Sequence, residues 1–532
     1  MMKMTKRVAI IGAGASGLTC IKCCLDEDLE PVCFERSNDI GGLWNLQENV
    51  TDGRASIYKS LIINTSKEMM CFSDFPVPED YPNYMHNSRI LDYFRFYAKH
   101  FNLLKYVKFK TSVCSITKRV DFSSTGQWDV VTIDGEGSSE SAIFDAILIC
   151  TGHHVDPHLP LDSFPGIEKF KGQYMHSKEY KGPLMFEGKK VVIIGIGNSG
   201  GDLAVEISRH AKQVFLSTRR GAWIINRVGK RGLPGDIQFS RRINVFWPSS
   251  VITWYAERAQ NSRFSHANYG LQPSHSFLSQ HPTVNDDLPN RILSGTVLVK
   301  PNVKQFTETA AIFEDSTVED IDVVVFATGY AFGFPFLDES VLKVNKNHVS
   351  LHKYVFPPQL EQPTLAIIGL VQPLGAIMPI SELQARWATR IFKGLAKLPA
   401  VSTMMAEILE KKEKMAKRYV SSQRHTIQVD YIPYMDELAE QIGVKPNMKQ
   451  LLFSDPQLAF QVFFGPCSPY QFRLTGPGKW PKARETIFTQ WERIIKPTKT
   501  RVLTKNQQEA SLSMLLKLMA LLVALGAVYL FL

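Results

Sequence analysis

Cysteine is scarce in this chain of 532 residues, which contains only eight. That number excludes a small domain held together by disulfides. No group of cysteine and histidine residues has the spacing of a metal site, so we expect no bound metal. The amino-terminal sequence also lacks the apolar run of about 7–15 residues that a secretory signal needs, because its apolar stretch, Val8 to Ile11, ends at glycine. The sequence therefore predicts a cytosolic body whose thiols are reduced.

Low-complexity segments are also absent, and 44% of the residues are hydrophobic and 11% aromatic, which excludes a disordered or fibrous chain. The length corresponds to roughly three to four domains at about 150 residues per domain. The net charge of +10 is small for this length, and it is compatible with anionic cofactors, a membrane surface or nucleic acid. Charge alone therefore selects no partner.

Two stretches of the sequence share a strand–helix–strand pattern. The first stretch predicts a strand over Lys6 to Ile11, a helix over Ala15 to Asp26 and a strand over Pro31 to Glu35. The second predicts the same order over Lys190 to Ile194, Asp202 to His210 and Gln213 to Ser217. Short apolar runs that end at glycine are typical of buried parallel strands. Further strands are predicted at Trp128 to Thr132, Ala142 to Cys150, Val323 to Ala327 and Leu365 to Gly369. The fold class is therefore α/β, with two doubly wound, Rossmann-type domains.

A glycine motif follows the first strand of each unit. The first motif reads Gly12-Ala13-Gly14-Ala15-Ser16-Gly17. Its glycines allow a tight turn, the close approach of a pyrophosphate and close packing of the helix. Glu35 ends the next strand, where a carboxylate accepts hydrogen bonds from an adenosine ribose and repels a 2′-phosphate. This site is predicted to hold FAD or NAD and not NADP, and a glycine turn formed by chance is the alternative.

The second motif reads Gly195-Ile196-Gly197-Asn198-Ser199-Gly200. The strand after it ends without a carboxylate, and hydroxyls and guanidiniums occupy that place: Ser217, Thr218, Arg219 and Arg220. Arginine binds a phosphate through a planar fork of N–H donors. The second site is therefore predicted to prefer NADP, and a solvated basic turn is the alternative interpretation.

The carboxyl-terminal residues are strongly apolar. Between Leu512 and Leu532 the only charged residue is Lys517, and a membrane span needs about 20 residues. Lys517 can extend toward the headgroups, and basic residues between Arg493 and Lys505 favour the cytoplasmic side for the preceding chain. We predict a membrane helix here, and a buried carboxyl-terminal core helix is the alternative.

Residues 221–295 lack the strand–helix–strand pattern and carry aromatic residues and basic pairs, so we interpret them as a helical insertion into the second domain. The predicted organisation is an FAD-binding domain over 1–155, an NADP-binding domain over 156–220, the insertion over 221–295, the rest of the NADP-binding domain over 296–330, the rest of the FAD-binding domain over 331–445, a carboxyl-terminal extension over 446–510 and a membrane anchor helix over 511–532.

One further segment resembles a family motif. Phe170, Gly172, His176 and Tyr180 have the spacing F-x-G-x-x-x-H-x-x-x-Y, and with the two glycine motifs the chain resembles the flavin-containing monooxygenases. The resemblance covers the whole chain, and the apolar tail makes it similar to the vertebrate microsomal members. Baeyer–Villiger monooxygenases have tryptophan at the last position of this motif. Tyr180 therefore favours oxidation of heteroatoms, and oxidation of ketones stays open.

The resemblance implies contacts with cofactors at particular residues. FAD contacts are implied at Gly12 to Ser16, Glu35, Leu43, Trp44, Asn64 and Thr65. NADP contacts are implied at Ile63, Asn64, Asn198, Ser199, Gly200 and Gly201. Asn64 matches the family's active-site asparagine and is the catalytic residue that the resemblance implies. His176 and Tyr180 are expected to organise the linker between the domains and not to transfer protons.

The resemblance implies an enzyme that uses FAD, NADPH and molecular oxygen. NADPH would reduce the flavin, and a flavin C4a-hydroperoxide would then oxygenate small lipophilic amines and sulfides among xenobiotics, with ketones as a further class. The body would face the cytosol from the endoplasmic reticulum membrane, held in the lipid by the carboxyl-terminal helix. We expect no nucleic-acid partner, and assembly as a homo-oligomer stays open.

Two other functions fit part of the sequence. A pyridine-nucleotide disulfide reductase has the same two-domain plan, and Cys20 and Cys23 have the C-x-x-C spacing of a redox pair. These cysteines lie on the helix after the first glycine motif, where small apolar residues pack on the sheet. A membrane-anchored nucleotide-binding adaptor without turnover would retain both motifs, and oxygen-dependent consumption of NADPH distinguishes an enzyme from it.

Overall fold

The computed structural model describes residues 5–51, 53–420 and 426–501, and its architecture is α/β. Two separate five-stranded sheets lie at its centre, and every strand pair in both sheets is parallel. Parallel neighbours need crossover connections, which helices usually provide. The predicted pair of Rossmann-type units is therefore confirmed.

The first sheet has the strand before the first glycine motif at its centre. In spatial order its strands are Leu365–Ile367, Ala146–Ile149, Arg7–Ile11, Glu30–Phe34 and Val107–Lys108. The residues from Val8 to Ile11 are all buried, as expected for a parallel sheet that is covered on both faces. The predicted helix Ala15–Asp26 is confirmed at both ends, and it packs against the later helix Met378–Lys393.

The second sheet repeats this arrangement around the strand before the second glycine motif. Its spatial order is Val297–Lys300, Gln213–Ser217, Lys190–Ile194, Val323–Phe326 and Gln173–His176. The following helix, Asn198–Ile207, begins four residues before the predicted start at Asp202. The last residues of the glycine motif form its first turn, because the backbone of Gly197 is extended and ends the preceding turn.

The prediction of one strand from Ala142 to Cys150 is wrong. This stretch forms two strands that belong to different sheets, Ser139–Phe144 and Ala146–Ile149. Between them, the Asp145 carboxylate accepts hydrogen bonds from the Arg7 amide at 2.8 Å and from Gln127 Nε2 at 2.8 Å. These bonds fix the chain where it leaves an antiparallel sheet and enters the first parallel sheet.

The two main sheets are each accompanied by a three-stranded antiparallel sheet. One contains Ser112–Lys118, Trp128–Ile133 and Ser139–Phe144, and the other contains Val303–Phe306, Ala310–Phe313 and Val318–Asp320. The remaining strands of the described residues form three two-stranded sheets: Ile224–Ile225 with Thr283–Val284, Asp156–Pro157 with Tyr330–Ala331, and Gln372–Leu374 with Gln428–Asp430.

The pair Ile224–Ile225 and Thr283–Val284 joins the two ends of the predicted insertion. Between and just after these strands the insertion contains the helices Gly235–Phe239, Ser249–Asn261 and Leu288–Leu293. The other helices of the described chain are Lys67–Met70, Asn87–His100, Phe122–Thr125, Val401–Arg418, Tyr431–Ile442, Met448–Ser454, Pro456–Phe464 and Ala483–Ile495.

The last described helices pack into the core of the first sheet. Val462 and Ile487 belong to the same cluster of buried apolar side chains as Ile10 and Leu148. The membrane helix predicted at 511–532 lies outside the described residues. Within the three described ranges, no helix has both the length and the apolar character that crossing a bilayer requires.

Candidate functional site

A cavity of about 1890 Å³ lies where the two sheets and the insertion meet. Eleven of the residues predicted to bind cofactors line it: Gly12, Gly14, Ala15, Ser16, Glu35, Leu43, Trp44, Ile63, Asn64, Thr65 and Asn198. The other predicted residues lie outside its wall: Ala13, Gly17, Gly195, Gly197, Ser199, Gly200, Gly201, Ser217, Thr218, Arg219 and Arg220. The cavity therefore gathers the first glycine motif and Asn64, together with one residue of the second motif.

The first glycine motif forms a turn that side chains would block. Gly12 has φ +100°, and a Cβ at this position would lie 2.9 Å from the Cys150 carbonyl oxygen. A Cβ at Gly17 would lie 1.8 Å from the Gly12 carbonyl oxygen, so only glycine lets the helix start this close to the strand. The start of this helix faces the cavity, where its free N–H groups and dipole suit a pyrophosphate.

Glu35 is held in place by the motif that it follows. Its Oε2 accepts a hydrogen bond from the Ala13 amide at 2.8 Å, and its Oε1 accepts from the Ser37 amide at 2.9 Å and hydroxyl at 2.7 Å. The side chain is buried, yet Oε2, which accepts one hydrogen bond, has a second lone pair that can accept from a ribose hydroxyl. Ala13 thus contributes to the site by positioning Glu35.

A second pair of glycines closes over the first motif. Gly41 has φ +105°, and its amide donates to the Ala13 carbonyl at 3.0 Å. A Cβ at Gly42 would lie 3.1 Å from the Cα of Gly14, so the two backbones approach as closely as they do because both residues are glycine. This contact places Leu43 and Trp44 on the cavity wall.

Asn64 is joined to the insertion through Arg227, a residue that the sequence does not mark. Asn64 Oδ1 accepts a hydrogen bond from Arg227 Nη2 at 2.6 Å, and Arg227 Nη1 pairs with Asp286 Oδ2 at 3.1 Å. Asn64 and Arg227 are 163 residues apart in the chain. Arg227 belongs to no motif, so spacing alone gives no signal for it.

The loop of Asn64 has a second attachment to the insertion at Asp236. The carboxylate of Asp236 accepts from the Ser66 amide at 2.7 Å and from the Ser66 hydroxyl at 2.9 Å. Tyr84 adds a third contact, because its hydroxyl lies within donating distance of the Arg227 carbonyl oxygen at 2.8 Å and of Asp236 Oδ1 at 3.2 Å. Burial raises the pKa of Asp236, and the donors from Ser66 oppose that rise. The insertion therefore forms one wall of the site and fixes the position of Asn64.

The second glycine motif has the same backbone requirement as the first. Gly195 has φ +107°, and a Cβ there would lie 2.6 Å from the Ala327 carbonyl oxygen, while a Cβ at Gly200 would lie 2.0 Å from the Gly195 carbonyl oxygen. Asn198 is the member of this motif that reaches the cavity, and its Oδ1 accepts from the Val284 amide at 2.8 Å. The amide of Asn198 thereby ties the motif to the end of the insertion.

The four residues predicted to read a 2′-phosphate divide into two pairs. The Ser217 hydroxyl is buried and donates to the Pro301 carbonyl at 2.9 Å, and the Thr218 hydroxyl accepts from the Gly221 amide at 3.1 Å. Arg219 and Arg220 are exposed at the end of the strand. Both hydroxyls therefore shape the turn, and the two guanidiniums are the groups free to approach a phosphate from solvent.

The polar side chains of the motif from Phe170 to Tyr180 form hydrogen bonds within the motif and with the second unit. The His176 side chain accepts from the Lys178 amide at 3.1 Å through Nδ1, and its Nε2 lies 3.0 Å from the Gly329 carbonyl oxygen. The Tyr180 hydroxyl donates to Glu206 Oε2 at 2.6 Å, on the helix that follows the second glycine motif. Ser60 also contacts Glu206. These contacts hold backbone segments in place, and neither His176 nor Tyr180 lines the cavity.

The cysteine positions argue against a disulfide reductase. The Cys20 thiol lies 3.5 Å from Cys150 Sγ, and the Cys23 thiol lies 3.9 Å from the Thr19 hydroxyl. Both are fully buried. Burial raises the pKa of Cys23 to about 12, and it also raises the pKa of the Cys20 thiol. Thiols held in the protonated form are poor nucleophiles, so this C-x-x-C sequence lacks the features of a redox pair.

Comparison with known proteins gives the family directly. A family model described as "FMO-like: Flavin-binding monooxygenase-like" matches residues 5–532. "Flavin-containing monooxygenase 5" of Rattus norvegicus is 67% identical over 512 residues, covering 95% of this chain and 96% of the relative. "Flavin-containing monooxygenase 2" of Homo sapiens is 55% identical over 532 residues, covering 99% of each.

Solved structures share the fold at lower identity. The S-allyl-L-cysteine S-oxygenase from Allium sativum has a TM-score of 0.65 and 24% identity, covering 91% of this chain and 99% of that one. A cyclohexanone-bound structure of cyclohexanone monooxygenase has a TM-score of 0.59 and 16% identity, covering 82% and 98%. The two-unit architecture is thus the one these flavin monooxygenases have.

Proposed function

The chain belongs to the flavin-binding monooxygenase-like family, and we propose that this FAD- and NADPH-dependent monooxygenase oxygenates small lipophilic amines and sulfides, and ketones as a second class. When bound, the flavin supplies the redox chemistry: it takes electrons from NADPH and activates molecular oxygen. The protein's part is to bind, to orient and to exclude water. The observation that carries the proposal is the single cavity that gathers the first glycine motif, Asn64 and Asn198.

The first glycine motif and Glu35 fit the adenosine and pyrophosphate part of FAD. The glycines at positions 12 and 17 permit a tight turn that a Cβ would block, and the carboxylate of Glu35 is held by the Ala13 amide on the cavity wall. Leu43 and Trp44 add an apolar wall next to Gly14. Donors at a helix start together with a ribose-binding carboxylate are the contacts that such a dinucleotide needs.

Asn64 is proposed to be the residue that supports the reacting end of the site. An amide can donate and accept hydrogen bonds without changing its charge. Because Arg227 donates to its Oδ1, the amide nitrogen of Asn64 is the end that can donate to a ligand in the cavity. The coenzyme would lie between Asn64 and Asn198, with Arg219 and Arg220 toward its 2′-phosphate.

The substrate class is tested by product analysis with two probes side by side, an aryl alkyl sulfide and an aliphatic ketone. We expect the sulfoxide to form in a reaction that requires both NADPH and oxygen, and the ester from the ketone measures the second class. A protein that consumes NADPH but yields neither product would contradict the proposal. An active relative of the same family, assayed alongside, shows that both products are detectable under the conditions used.

We also propose that the protein is bound to the endoplasmic reticulum membrane with its body in the cytosol. The apolar sequence from Leu518 to Leu532 supports this. A second support is an exposed aromatic surface on the insertion and the helix Pro456–Phe464, which are joined by a ring contact between Phe246 and Phe463 at 5.4 Å. Its exposed members are Phe246, Trp247, Trp254, Tyr255 and Phe460.

Such aromatic surfaces are typical of the boundary between water and lipid. Trp254 and Tyr255 also line the large cavity, so lipophilic substrates could enter from this side. Deleting residues 511–532 should shift the protein from the microsomal pellet to the supernatant after a high-salt wash, because salt removes only electrostatic attachment. If the truncated protein pellets as the full chain does, the tail is not the main anchor.

A further inference from the structure

A second cavity, of about 300 Å³, lies away from the cofactor cavity and shares no lining residue with it. It opens between the helices Ala15–Asp26 and Met378–Lys393 and the loop from Pro477 to Trp480. Five cationic side chains line it: Lys22, Arg386, Arg390, Arg473 and Lys479. The carboxylates of Asp26, Glu27 and Asp74 line it as well, so positive charges outnumber negative ones in its lining.

Three of these cations already have carboxylate partners. Lys22 pairs with Asp26 at 2.7 Å and with Asp74 at 2.6 Å. Arg473 pairs with Asp74 at 2.9 Å and with Glu382 at 2.6 Å. The nearby pair of Arg390 and Glu27, at 2.9 Å, accounts for the third cation. Each acidic residue around the cavity is therefore in a direct ion pair with one of these three cations, and among the described residues Arg386 and Lys479 form no such pair.

Of Arg386 and Lys479, Arg386 is the stronger indication of a binding site because it is buried. Only 6% of its surface is exposed, and its guanidinium donates to two backbone carbonyls, those of Phe472 at 3.1 Å and Pro477 at 2.9 Å. Among the described residues, no carboxylate oxygen lies within 4.0 Å of it. Burial and the charge of Arg473 lower the pKa of Arg386 to about 10. The charges of Glu382 and Asp74 oppose this lowering without a direct ion pair, and a buried cation that forms no direct ion pair leaves a position that a bound anion can stabilise.

We propose that this cavity is a binding site for a phosphate monoester. The dianionic phosphate would lie between the buried guanidinium of Arg386 and the exposed ammonium of Lys479, since arginine binds phosphate oxygens through its fork of donors. Ile442, Pro477 and Trp480 form an apolar side of the same cavity. That side fits the organic part of the ester, and a volume of about 300 Å³ holds more than the phosphate group alone.

The test is isothermal titration calorimetry on the full chain loaded with FAD and saturated with NADP⁺, so that the cofactor site does not take up the probe. The probes are phenyl phosphate, inorganic phosphate and phenol. We expect phenyl phosphate to bind more tightly than inorganic phosphate and phenol not to bind. Arg386→Met should weaken phenyl phosphate at least about tenfold, because it removes charge-assisted hydrogen bonds from a buried position.

A second variant keeps the test decisive if Arg386→Met does not fold. Lys479 is exposed, so Lys479→Ala should fold and should weaken phenyl phosphate by about two- to fivefold, as expected for a solvated charge. Lys482→Ala is the matched control, since Lys482 is an exposed lysine in the same segment that does not line the cavity. No binding by the full chain, or equal binding by all the folded variants, would overturn the proposal.

The same chemistry occurs in a soluble ester and in a lipid headgroup, and vesicles distinguish them. Phosphatidylcholine vesicles with and without phosphatidic acid, which carries a phosphate monoester, are compared for the full chain and the Lys479→Ala variant. Preference for phosphatidic acid that depends on Lys479 identifies a lipid-borne ligand. Binding of phenyl phosphate without that preference identifies a soluble one.

Discussion

At the scale of single residues, the site depends on how Asn64 is held. Its carbonyl end is fixed by Arg227, and its loop is fixed by Asp236 through Ser66. Replacing Asn64 with aspartate would preserve the size of the side chain and would strengthen the contact with Arg227. The change is therefore one of charge in a position that faces the cavity.

We predict that Asn64→Asp retains FAD but loses coupling between NADPH oxidation and product formation. A carboxylate would place a negative charge where the wild type offers a neutral donor, and like charges disfavour the electron-rich form of a cofactor. The yield of product per NADPH should fall by about tenfold, which corresponds to ~1.4 kcal/mol. The loss of coupling is measured as hydrogen peroxide released, which is determined together with the product.

Asn49→Asp is the control, because Asn49 is exposed and does not line the cavity. It adds the same charge to the same region of the chain and should leave the coupling unchanged. A wild-type yield in Asn64→Asp would remove Asn64 from the proposed catalytic role.

At the scale of elements, the sequence was most informative where a local rule decides the structure. The strands Lys190–Ile194 and Gln213–Ser217 and the helix Ala15–Asp26 have the predicted ends, because apolar runs bounded by glycine permit few alternatives. The stretch from Ala142 to Cys150 differs from its prediction, because it is divided between two strands. Its division depends on hydrogen bonds that Asp145 accepts from Arg7, which is 138 positions away, and from Gln127, which is 18 positions away. Such contacts leave no periodic signal in the sequence.

The residues of the candidate site likewise fall into those that the sequence predicts and those that it does not. The first glycine motif and Glu35 could be predicted because their roles follow from backbone geometry and local spacing. Arg227 and Asp236 could not, since their importance arises only when the insertion folds back on the Asn64 loop. The motif ending at Tyr180 carries the family resemblance, but its spacing does not predict the hydrogen bond between Tyr180 and Glu206.

We predict that Tyr180→Phe destabilises the second unit and leaves FAD bound. The substitution deletes the hydrogen bond to Glu206, whose net worth is about 1.5–3 kcal/mol because the acceptor is charged. The midpoint of thermal unfolding at a fixed scan rate should fall, and the KM for NADPH should rise, because Glu206 lies on the helix after the second glycine motif.

Tyr174→Phe provides the comparison for this variant. Tyr174 is a partly exposed tyrosine in the same segment, and its ring contacts Phe326. Removing its hydroxyl should leave both quantities close to those of the wild type. If Tyr180→Phe behaves in the same way, the contact with Glu206 does not position the unit.

At the scale of the whole molecule, two nucleotide-binding units and an insertion enclose one cavity. Neither glycine motif forms that cavity alone: the first contributes Gly12, Gly14, Ala15 and Ser16 to its wall, and the second reaches it only through Asn198. The insertion closes the remaining side through Arg227 and Asp236, and it carries the aromatic surface that includes Trp254. This arrangement suits an enzyme that brings two cofactors, oxygen and a lipophilic substrate to one place.

The central claim is that the protein transfers one atom of molecular oxygen to its substrate at the expense of NADPH. The most direct measurement is the incorporation of label from ¹⁸O₂ into the sulfoxide of an aryl alkyl sulfide, with NADPH consumption followed in the same sample. The account predicts one labelled oxygen atom per sulfoxide, with product formed in proportion to the NADPH oxidised. Sulfoxide whose oxygen comes from water, or NADPH oxidation that proceeds equally without oxygen, would contradict it.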